Sequence, residues 1–245
     1  MKKIITMAST LLMAASISLS ASTPGNGKLS FNPQPSDNRP FGISVGLVMK
    51  QMNLNGEHYP WMIIDQLSDK NRNKKSSPSL QIGFSWSPEF KYGIGLQTGI
   101  FYELSADSYK TSESILGIEA SSKIGLTEHN LSVPLRVQYR YEIIPDLSVF
   151  IYTGPSFDFS MAYNASMQLN SSDADMNYSE KINMYEESDM NRFNLMWGVG
   201  AGVRWKFLQL KVGGDWGLTS LIKDEIDNVN TTLNKPFHVS LSFQF

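Results

Sequence analysis

Three side chains of the types that hydrolytic enzymes use lie close together in the sequence: His129, Ser132 and Glu142. A nucleophile, a base and an orienting carboxylate cooperate only when they are in contact. His129 and Ser132 have opposite parity, so on a regular β-strand they point to opposite faces. Glu142 lies near the other end of the same stretch, about 30 Å away at about 3.3 Å per residue. The spacing therefore predicts no catalytic site, and a lipid hydrolase stays a minor alternative.

Two further motifs have the residue types of ligand sites. Asp173, Asp175 and Asn177 alternate like the first oxygen ligands of a calcium loop, but Tyr178 replaces the required glycine and no glutamate stands at position twelve. Gly198-Val-Gly-Ala-Gly202 has glycines spaced as in a dinucleotide loop, which needs a helix after it, whereas these glycines continue an extended stretch. We therefore predict no metal and no cofactor, with a weak divalent cation site in the acidic segment as the alternative. The chain has no cysteine, which excludes disulfides and thiolate ligands.

Stretches of alternating polar and apolar residues must position these side chains. Their period of two predicts strands with one apolar and one polar side. The gaps between them alternate between long and short, which predicts an all-β fold: an eight-stranded antiparallel up-and-down transmembrane β-barrel over residues 41–245. The eight predicted strands are Phe41–Lys50, Ser79–Ser87, Tyr92–Ser105, His129–Glu142, Leu147–Met161, Arg192–Lys206, Phe207–Thr219 and Pro236–Phe245. The four long loops are residues 51–78, 106–128, 162–191 and 220–235.

The polar side of these strands indicates which side faces inward. A soluble barrel of the lipocalin type would place its apolar side inward, around a ligand. Here the polar side combines glycines with charges of both signs, which favours a narrow, ion-paired interior. We expect a lumenal charge network, for example Arg136 or Arg140 with Glu103 or Asp158. Its predicted members are Glu103, Arg136, Arg140, Glu142, Asp158, Arg204, Lys211 and Asp215.

Aromatic residues on the apolar side gather at the strand ends, with aliphatic residues between them. Two aromatic belts around an aliphatic band are typical of a protein that spans a bilayer. The predicted belt at the short turns contains Phe41, Trp86, Tyr92, Tyr139, Tyr141, Trp205 and Phe243, together with the terminal Phe245. The belt at the long loops contains Tyr102, Phe159, Phe193, Trp216 and Phe237.

The N-terminus has the pattern of a secretory signal peptide, residues 1–21. Lys2 and Lys3 precede an apolar stretch that ends in small residues suited to cleavage. Residues 22–40 are rich in proline, and this composition predicts a periplasmic linker. Short turns face the periplasm in such barrels, so we expect an outer-membrane location with both termini periplasmic. The formal net charge of −2 indicates no general affinity for nucleic acid.

The first long loop carries two features that suggest contacts outside the barrel. A basic cluster can bind lipopolysaccharide phosphates or simply solubilise the loop, since Asp65 and Asp69 lie nearby. The apolar segment 59–64 predicts either a contact surface or an extension of the barrel rim. The cluster consists of Lys70, Arg72, Lys74 and Lys75.

With these features in place, the sequence resembles the small outer-membrane barrels of the PorT and OmpA-like type found in Bacteroidota. The resemblance rests on Leu131-Ser-Val-Pro-Leu-Arg-Val-Gln-Tyr139, on Tyr152-Thr-Gly-Pro-Ser156, on Gly198–Gly202 and on the terminal Phe245. It implies an eight-stranded barrel in the outer membrane whose C-terminal strand, with Phe245 as its signal, guides insertion by the barrel-assembly machinery. No peptidoglycan-binding domain is expected, and no residues match the secretion role of PorT.

These inferences combine into one leading functional hypothesis. We expect a non-enzymatic outer-membrane barrel with a structural or surface-binding role, in contact with membrane lipids, lipopolysaccharide and an unknown extracellular ligand. A small porin is the second hypothesis, although an eight-stranded interior is only wide enough for side chains to fill. The lipid hydrolase is the third.

Overall fold

The computed structural model describes residues 39–62, 76–115, 118–171, 178–187, 190–223 and 231–245. Outside the strands it contains a 3-10 turn at Lys91–Gly93 and a one-turn helix, α1, at Met184–Glu187. No helix among these residues is long and apolar enough to cross a membrane. The strands are β1 Phe41–Leu54, β2 Glu57–Pro60, β3 Ser77–Trp86, β4 Ile94–Ile115, β5 Ile118–Ile144, β6 Leu147–Ser171, β7 Tyr178–Asn183, β8 Phe193–Trp205, β9 Leu208–Gly217 and β10 Thr231–Gln244.

Eight of these strands form a closed antiparallel ring. Its order is β1, β3, β4, β5, β6, β8, β9 and β10, and β10 pairs with β1 to close it. The two other strands extend the wall at one end, where β2 pairs with the end of β1 and β7 pairs with β6. The eight-stranded up-and-down ring predicted from the alternation is confirmed.

All four predicted loops are wrong in part: β1, β2 and β3 occupy parts of 51–78, β10 begins within 220–235, and strands run through 106–128 and 162–191. The β4–β5 ladder continues without a shift from Ser105↔Glu128 to Ile115↔Ile118. β6 continues to Ser171 and pairs with β7. We call these extensions the projecting sheet: residues 106–115, 118–127, 162–171 and 178–183. The sequence did not reveal these strands because the alternation reverses there: apolar residues such as Leu126, Tyr163 and Met167 lie on the inner side, and serines and lysines lie on the outer side.

Two bulges change which side chains face inward near the long-loop end. On β6 the register against β5 shifts between His129 and Asn130, which leaves Met161 as the extra residue. On β10 the register shifts against both neighbours between Asn234 and His238, around Pro236. Proline cannot donate a ladder hydrogen bond, and a bulge accommodates it. Lys235 therefore faces inward together with His238, Ser240, Ser242 and Gln244, while Pro236 is exposed.

The ring exposes its apolar side and buries its polar side. In β1, Ile43 and Val45 are about half exposed, at 47% and 50%, while Ser44 between them is only 1% exposed. Phe84 in β3 is 66% exposed, whereas Glu103 on the inner side of β4 is fully buried. This distribution is the opposite of that in a soluble protein and agrees with the predicted polar interior.

A hydrophobic core fills the barrel at the long-loop end, and we call it the cap. Trp61 and Met62, which follow β2, are almost fully buried in it. The apolar segment 59–64 therefore does not offer Trp61 or Met62 as a free contact surface, and Ile63 and Ile64 lie outside the described residues. The buried members of the cap are Trp61, Met62, Leu126, Tyr163, Tyr185, Met196, Leu221 and Leu233.

The cap should contribute strongly to stability. We expect Trp61→Ala to lower the free energy of unfolding by about 3–5 kcal/mol, because it removes a large buried ring. Trp86→Ala, at a ring that is 44% exposed, serves as the matched control and should cost much less. Urea unfolding of the protein in phospholipid vesicles measures both. Equal losses for the two variants would contradict the cap.

Candidate functional site

Five charged side chains form a buried network beneath the cap, which we call the upper cluster. Lys50 Nζ lies 3.1 Å from Glu103 Oε2 and 2.9 Å from Glu128 Oε2. Lys235 Nζ lies 2.6 Å from Glu103 Oε1 and 2.5 Å from Asp158 Oδ2. The side chains are at most 3% exposed, so each charge depends on its partners to offset the cost of leaving water.

Neutral donors complete the hydrogen bonding of the upper cluster. Asn130 Nδ2 donates to Glu103 Oε2 at 3.2 Å and to Asp158 Oδ2 at 3.0 Å. Ser132 Oγ donates to Asp158 Oδ1 at 2.6 Å. A buried ionic network holds one arrangement when its remaining lone pairs are satisfied in this way.

The indole of Trp61 joins the cap to the upper cluster. Trp61 Nε1 donates to Glu128 Oε2 at 2.8 Å, and the Trp61 ring stacks on Tyr163 with centroids 5.7 Å apart. Tyr185 of α1 also packs against Tyr163, with ring centroids 6.2 Å apart. Burial, followed by the negative charge of Glu128, raises the pKa of the Tyr185 phenol above its ordinary value, so the phenol stays neutral.

A second network, the middle cluster, lies further toward the short turns. Arg136 Nη2 pairs with Asp215 Oδ1 at 2.5 Å, and His238 Nδ1 lies 3.3 Å from Asp215 Oδ2. Tyr152 Oη lies 2.9 Å from His238 Nε2, and the Arg136 guanidinium sits 5.2 Å from the centre of the Tyr152 ring. Lys211 Nζ lies over the Phe101 ring at 5.6 Å. A glycine at position 198 makes room for the pair, since a Cβ there would collide with both Arg136 and Asp215.

The remaining predicted lumenal residues lie near the short turns. Arg140 forms an ion pair with Glu89, which precedes β4. Arg204 donates to the backbone oxygens of Arg39 and Lys206, each at 3.3 Å. Glu142 is half-buried on the inner side of β5.

The ion pairs differ from those suggested by the sequence. Arg136 and Arg140 do not pair with Glu103 or Asp158, whose cations are instead Lys50 and Lys235. The network predicted from the sequence lacked Lys50, Glu128, Lys235 and Glu89. The even position of Lys50 on β1 was a usable signal, whereas Lys235 was hidden by the bulge and Glu128 by the predicted loop.

The inward charges balance. Below the cap, within the described strands and the turn before β4, six cations face six carboxylates: Lys50, Arg136, Arg140, Arg204, Lys211 and Lys235 against Glu89, Glu103, Glu128, Glu142, Asp158 and Asp215. The upper cluster has one carboxylate in excess, and the middle cluster has one cation in excess when His238 is neutral. Between them lies a cavity of about 40 Å³ lined by residues of both clusters. That volume accommodates a few waters but no organic substrate.

The residues proposed for hydrolysis do not come together. His129 lies on the outer side, with Nδ1 2.5 Å from Tyr102 Oη. Ser132 lies in the lumen on Asp158. Tyr152, His238 and Asp215 do have the order of a nucleophile, a base and a carboxylate, but the cavity beside them is too small for a lipid. Among the described residues, no group of three or more His, Asp or Glu is placed to hold a metal.

The predicted belt residues lie on the outer surface. All except Tyr102 are at least 37% exposed, while Tyr102 is partly covered beside His129. Phe245 stacks on Phe41 at 6.5 Å, and its backbone nitrogen donates to Phe41 O at 2.8 Å. The last residue thus takes part in closing the ring.

Several predicted features lie outside the described residues. They are the signal peptide, the linker up to residue 38, the acidic segment 173–177, and the basic cluster Lys70, Arg72, Lys74 and Lys75.

A closed antiparallel ring with an aliphatic and aromatic outside and a charged inside defines the class of transmembrane β-barrels. Residues 34–223 match the outer membrane protein beta-barrel domain, and the chain belongs to that family. The family fits an outer-membrane location.

Solved structures of outer-membrane barrels are similar to this chain at low sequence identity. The attachment invasion locus protein Ail of Yersinia pestis is 11% identical, with 85% of this chain and 100% of Ail covered and a TM-score of 0.35. Neisserial surface protein A is 9% identical, with 84% and 97% covered and a TM-score of 0.38. The outer membrane protease OmpT of Escherichia coli is 10% identical, with 88% and 100% covered and a TM-score of 0.30. A comparison with curated proteins found no match. These similarities are too low to support an argument about role.

The upper cluster yields a direct test. Lys235→Met leaves Glu103 and Asp158 buried with less compensation, so we expect a loss of about 3–5 kcal/mol in the free energy of unfolding. Lys223→Met, at an exposed lysine of the long-loop end, is the matched control and should change little. Adding Asp158→Asn to Lys235→Met should recover part of the loss, as measured by urea unfolding in vesicles. Wild-type stability of Lys235→Met would contradict the network.

Proposed function

We propose that this protein is a non-enzymatic barrel of the outer membrane that contacts partners outside the cell through its projecting sheet. The short turns and both termini face the periplasm, and residues 1–21 and 22–40 serve as signal peptide and linker. The observation that carries the proposal is the contrast between a filled, capped interior and a four-stranded sheet that extends beyond the belts.

The interior gives no support to a diffusion pore. From the long-loop end toward the short turns, the lumen is filled by the cap, the upper cluster and the middle cluster. The cavity between the two clusters holds only a few waters. Ion passage would require breaking buried pairs, each of which is costly to separate. The second hypothesis, a small porin, is therefore weaker than the leading one.

The projecting sheet supports a binding role in addition to a structural one. Met167, Tyr178 and Ile182 lie on the side of the sheet that continues the barrel interior, and they are 40%, 50% and 38% exposed. Exposed apolar groups that do not face lipid are typical of contact surfaces. The basic cluster at residues 70–75 adds a candidate contact with lipopolysaccharide.

The resemblance to PorT and OmpA-like barrels of Bacteroidota supports the same assignment. On that basis Phe245 acts as the recognition signal for the barrel-assembly machinery. The stacking of Phe245 on Phe41 suggests that the signal becomes part of the closed seam after insertion.

Location and orientation are tested by chemical labelling. Because the chain has no cysteine, single cysteines report their own position. We expect Ser108→Cys, on the projecting sheet, to react with an impermeant maleimide on intact cells. Pro145→Cys, in the β5–β6 turn, should react only after lysis. The reverse pattern would place the short turns outside and contradict the proposal.

Folding as a closed barrel is tested on the same preparation. The wild-type protein should be recovered in the outer-membrane fraction and should migrate differently on gels before and after boiling. A single band from the soluble periplasmic fraction would contradict a membrane barrel.

Conductance measurements distinguish the porin hypothesis. We expect no sustained stepwise current from the wild-type protein in planar bilayers, because ion pairs and the cap obstruct the lumen. A conducting trimeric porin reconstituted in the same lipids is the control. Reproducible steps from the purified protein would favour the porin.

Enzyme assays distinguish the hydrolase hypothesis. We expect no release of acyl chains from lipid A or phospholipid. Activity that is lost in Ser132→Ala or Tyr152→Phe would overturn the non-enzymatic assignment.

A further inference from the structure

The outer face of the projecting sheet continues the lipid-facing wall of the barrel. The β4–β5 register has no shift between Ile94↔Tyr139 and Ile115↔Ile118, so the side of the sheet that carries Tyr102 also carries Ser108 and Lys110. Successive side chains alternate between the two faces. On β6 the bulge at Met161 shifts the register by one residue, so Ala162, Asn164 and Ser166 face the same side as their β5 partners.

Three lysines gather on this outer face. Lys110 and Lys123 are direct cross-strand partners, and both are exposed. Lys181 on β7 pairs with Ser166 of β6, and Ser166 pairs with Gly125 of β5. Gly125 is two residues after Lys123 and lies on the same outer face, so Lys181 is on that face as well. Like charges placed directly opposite each other destabilise a sheet unless something neutralises them.

The described side chains around these lysines offer hydrogen-bonding groups and no opposing charge. Asp107 and Glu180 alternate to the other face of the sheet. Among the described side chains of the outer face there is no carboxylate, and the neighbours of the lysines are Ala106, Ser108, Gly125, Thr127, Asn164, Ser166, Gln168, Ser179 and Asn183. The register also places position 119, a glutamate, on this side beyond the lysines, so three lysines exceed one carboxylate and the face has an excess of positive charge, unlike the interior.

The height of the lysines indicates which anion they meet. Lys110 lies eight residues beyond Tyr102 of the upper belt. At about 3.3 Å per residue and a strand tilt of about 40°, it stands roughly 20 Å above the belt. The face looks sideways, parallel to the membrane, so its neighbour is a molecule anchored in the same leaflet. A soluble polymer that approaches from outside meets the tip of the sheet first.

We propose that the outer face of the projecting sheet binds the anionic core saccharide of a neighbouring lipopolysaccharide through Lys110, Lys123 and Lys181. Phosphate and carboxylate groups of that saccharide would neutralise the lysine pair, and the serine and asparagine side chains would bond its hydroxyls. This inference rests on the proposed function, because it requires the projecting sheet to stand outside the cell.

Thermal unfolding of the refolded full-length protein in detergent, with and without lipopolysaccharide that has a phosphorylated core, tests the inference. A ligand that binds the folded state raises the melting temperature. The double variant Lys110→Gln, Lys123→Gln should melt no lower than wild type without lipopolysaccharide, because the repulsion is gone. With lipopolysaccharide the order should reverse, and the affinity of the variant should fall about three- to tenfold. Lys206→Gln with Lys223→Gln, at exposed positions off this face, is the matched control and should respond like wild type.

Three results would overturn the inference. One is an equal rise for wild type and the lysine variant. Another is an undiminished rise with lipopolysaccharide from which phosphate has been removed. The third is a rise in melting temperature with heparin, a soluble polyanion, that depends on the lysines, while the rise with lipopolysaccharide does not depend on them. Failure of Ser108→Cys to react on intact cells contradicts the proposed function, whereas reaction there without a lysine-dependent shift contradicts the inference alone.

Discussion

The closed ring of backbone hydrogen bonds is the constraint from which the other features of this structure follow. Hydrocarbon offers no partner for a free N–H or C=O, so β10 must return to β1 and leave no edge. The seam runs from Gly42↔Gln244 to Leu54↔Thr231, with Phe245 bonded beyond it to Phe41. Closure of eight strands leaves an interior that side chains fill, and the period of two sends every second residue into it.

The charged interior is the consequence of that closure. Once polar residues are enclosed, each charge needs a partner, and two lysines shared among three carboxylates supply this in the upper cluster. The same pairing of opposite charges extends along the lumen below the cap, where six cations balance six carboxylates. Glu128 also accepts a hydrogen bond from Trp61, so the cap and the charges stabilise one another. A barrel filled in this way can act on its surroundings only through its surface, which is why the projecting sheet carries the functional proposals.

The sequence predicted local features well and long-range ones poorly. Ile43, Ser44 and Val45 already show the alternation that sets inside and outside. The pairing of Glu103 with Lys235 depends on ring closure across 132 positions and on a bulge at Pro236. The two-residue alternation of the sequence shows neither of these features. The projecting sheet was missed because its alternation is reversed above the membrane, with apolar residues such as Leu126 and Tyr163 inside and polar residues outside. The lysine pair on that sheet becomes visible only when the register places Lys110 opposite Lys123.

The central claim is that the apolar side of the ring faces lipid and the polar side is enclosed, and the tryptophans test it most directly. Four of the five, Trp86, Trp197, Trp205 and Trp216, are 39–57% exposed, whereas Trp61 is 3% exposed in the cap. Variants that keep one tryptophan each, with phenylalanine at the others, can be refolded into vesicles of brominated lipid. The account predicts strong fluorescence quenching for the four outer tryptophans and little for Trp61. Weak quenching of the outer four, or equal quenching of Trp61, would contradict it.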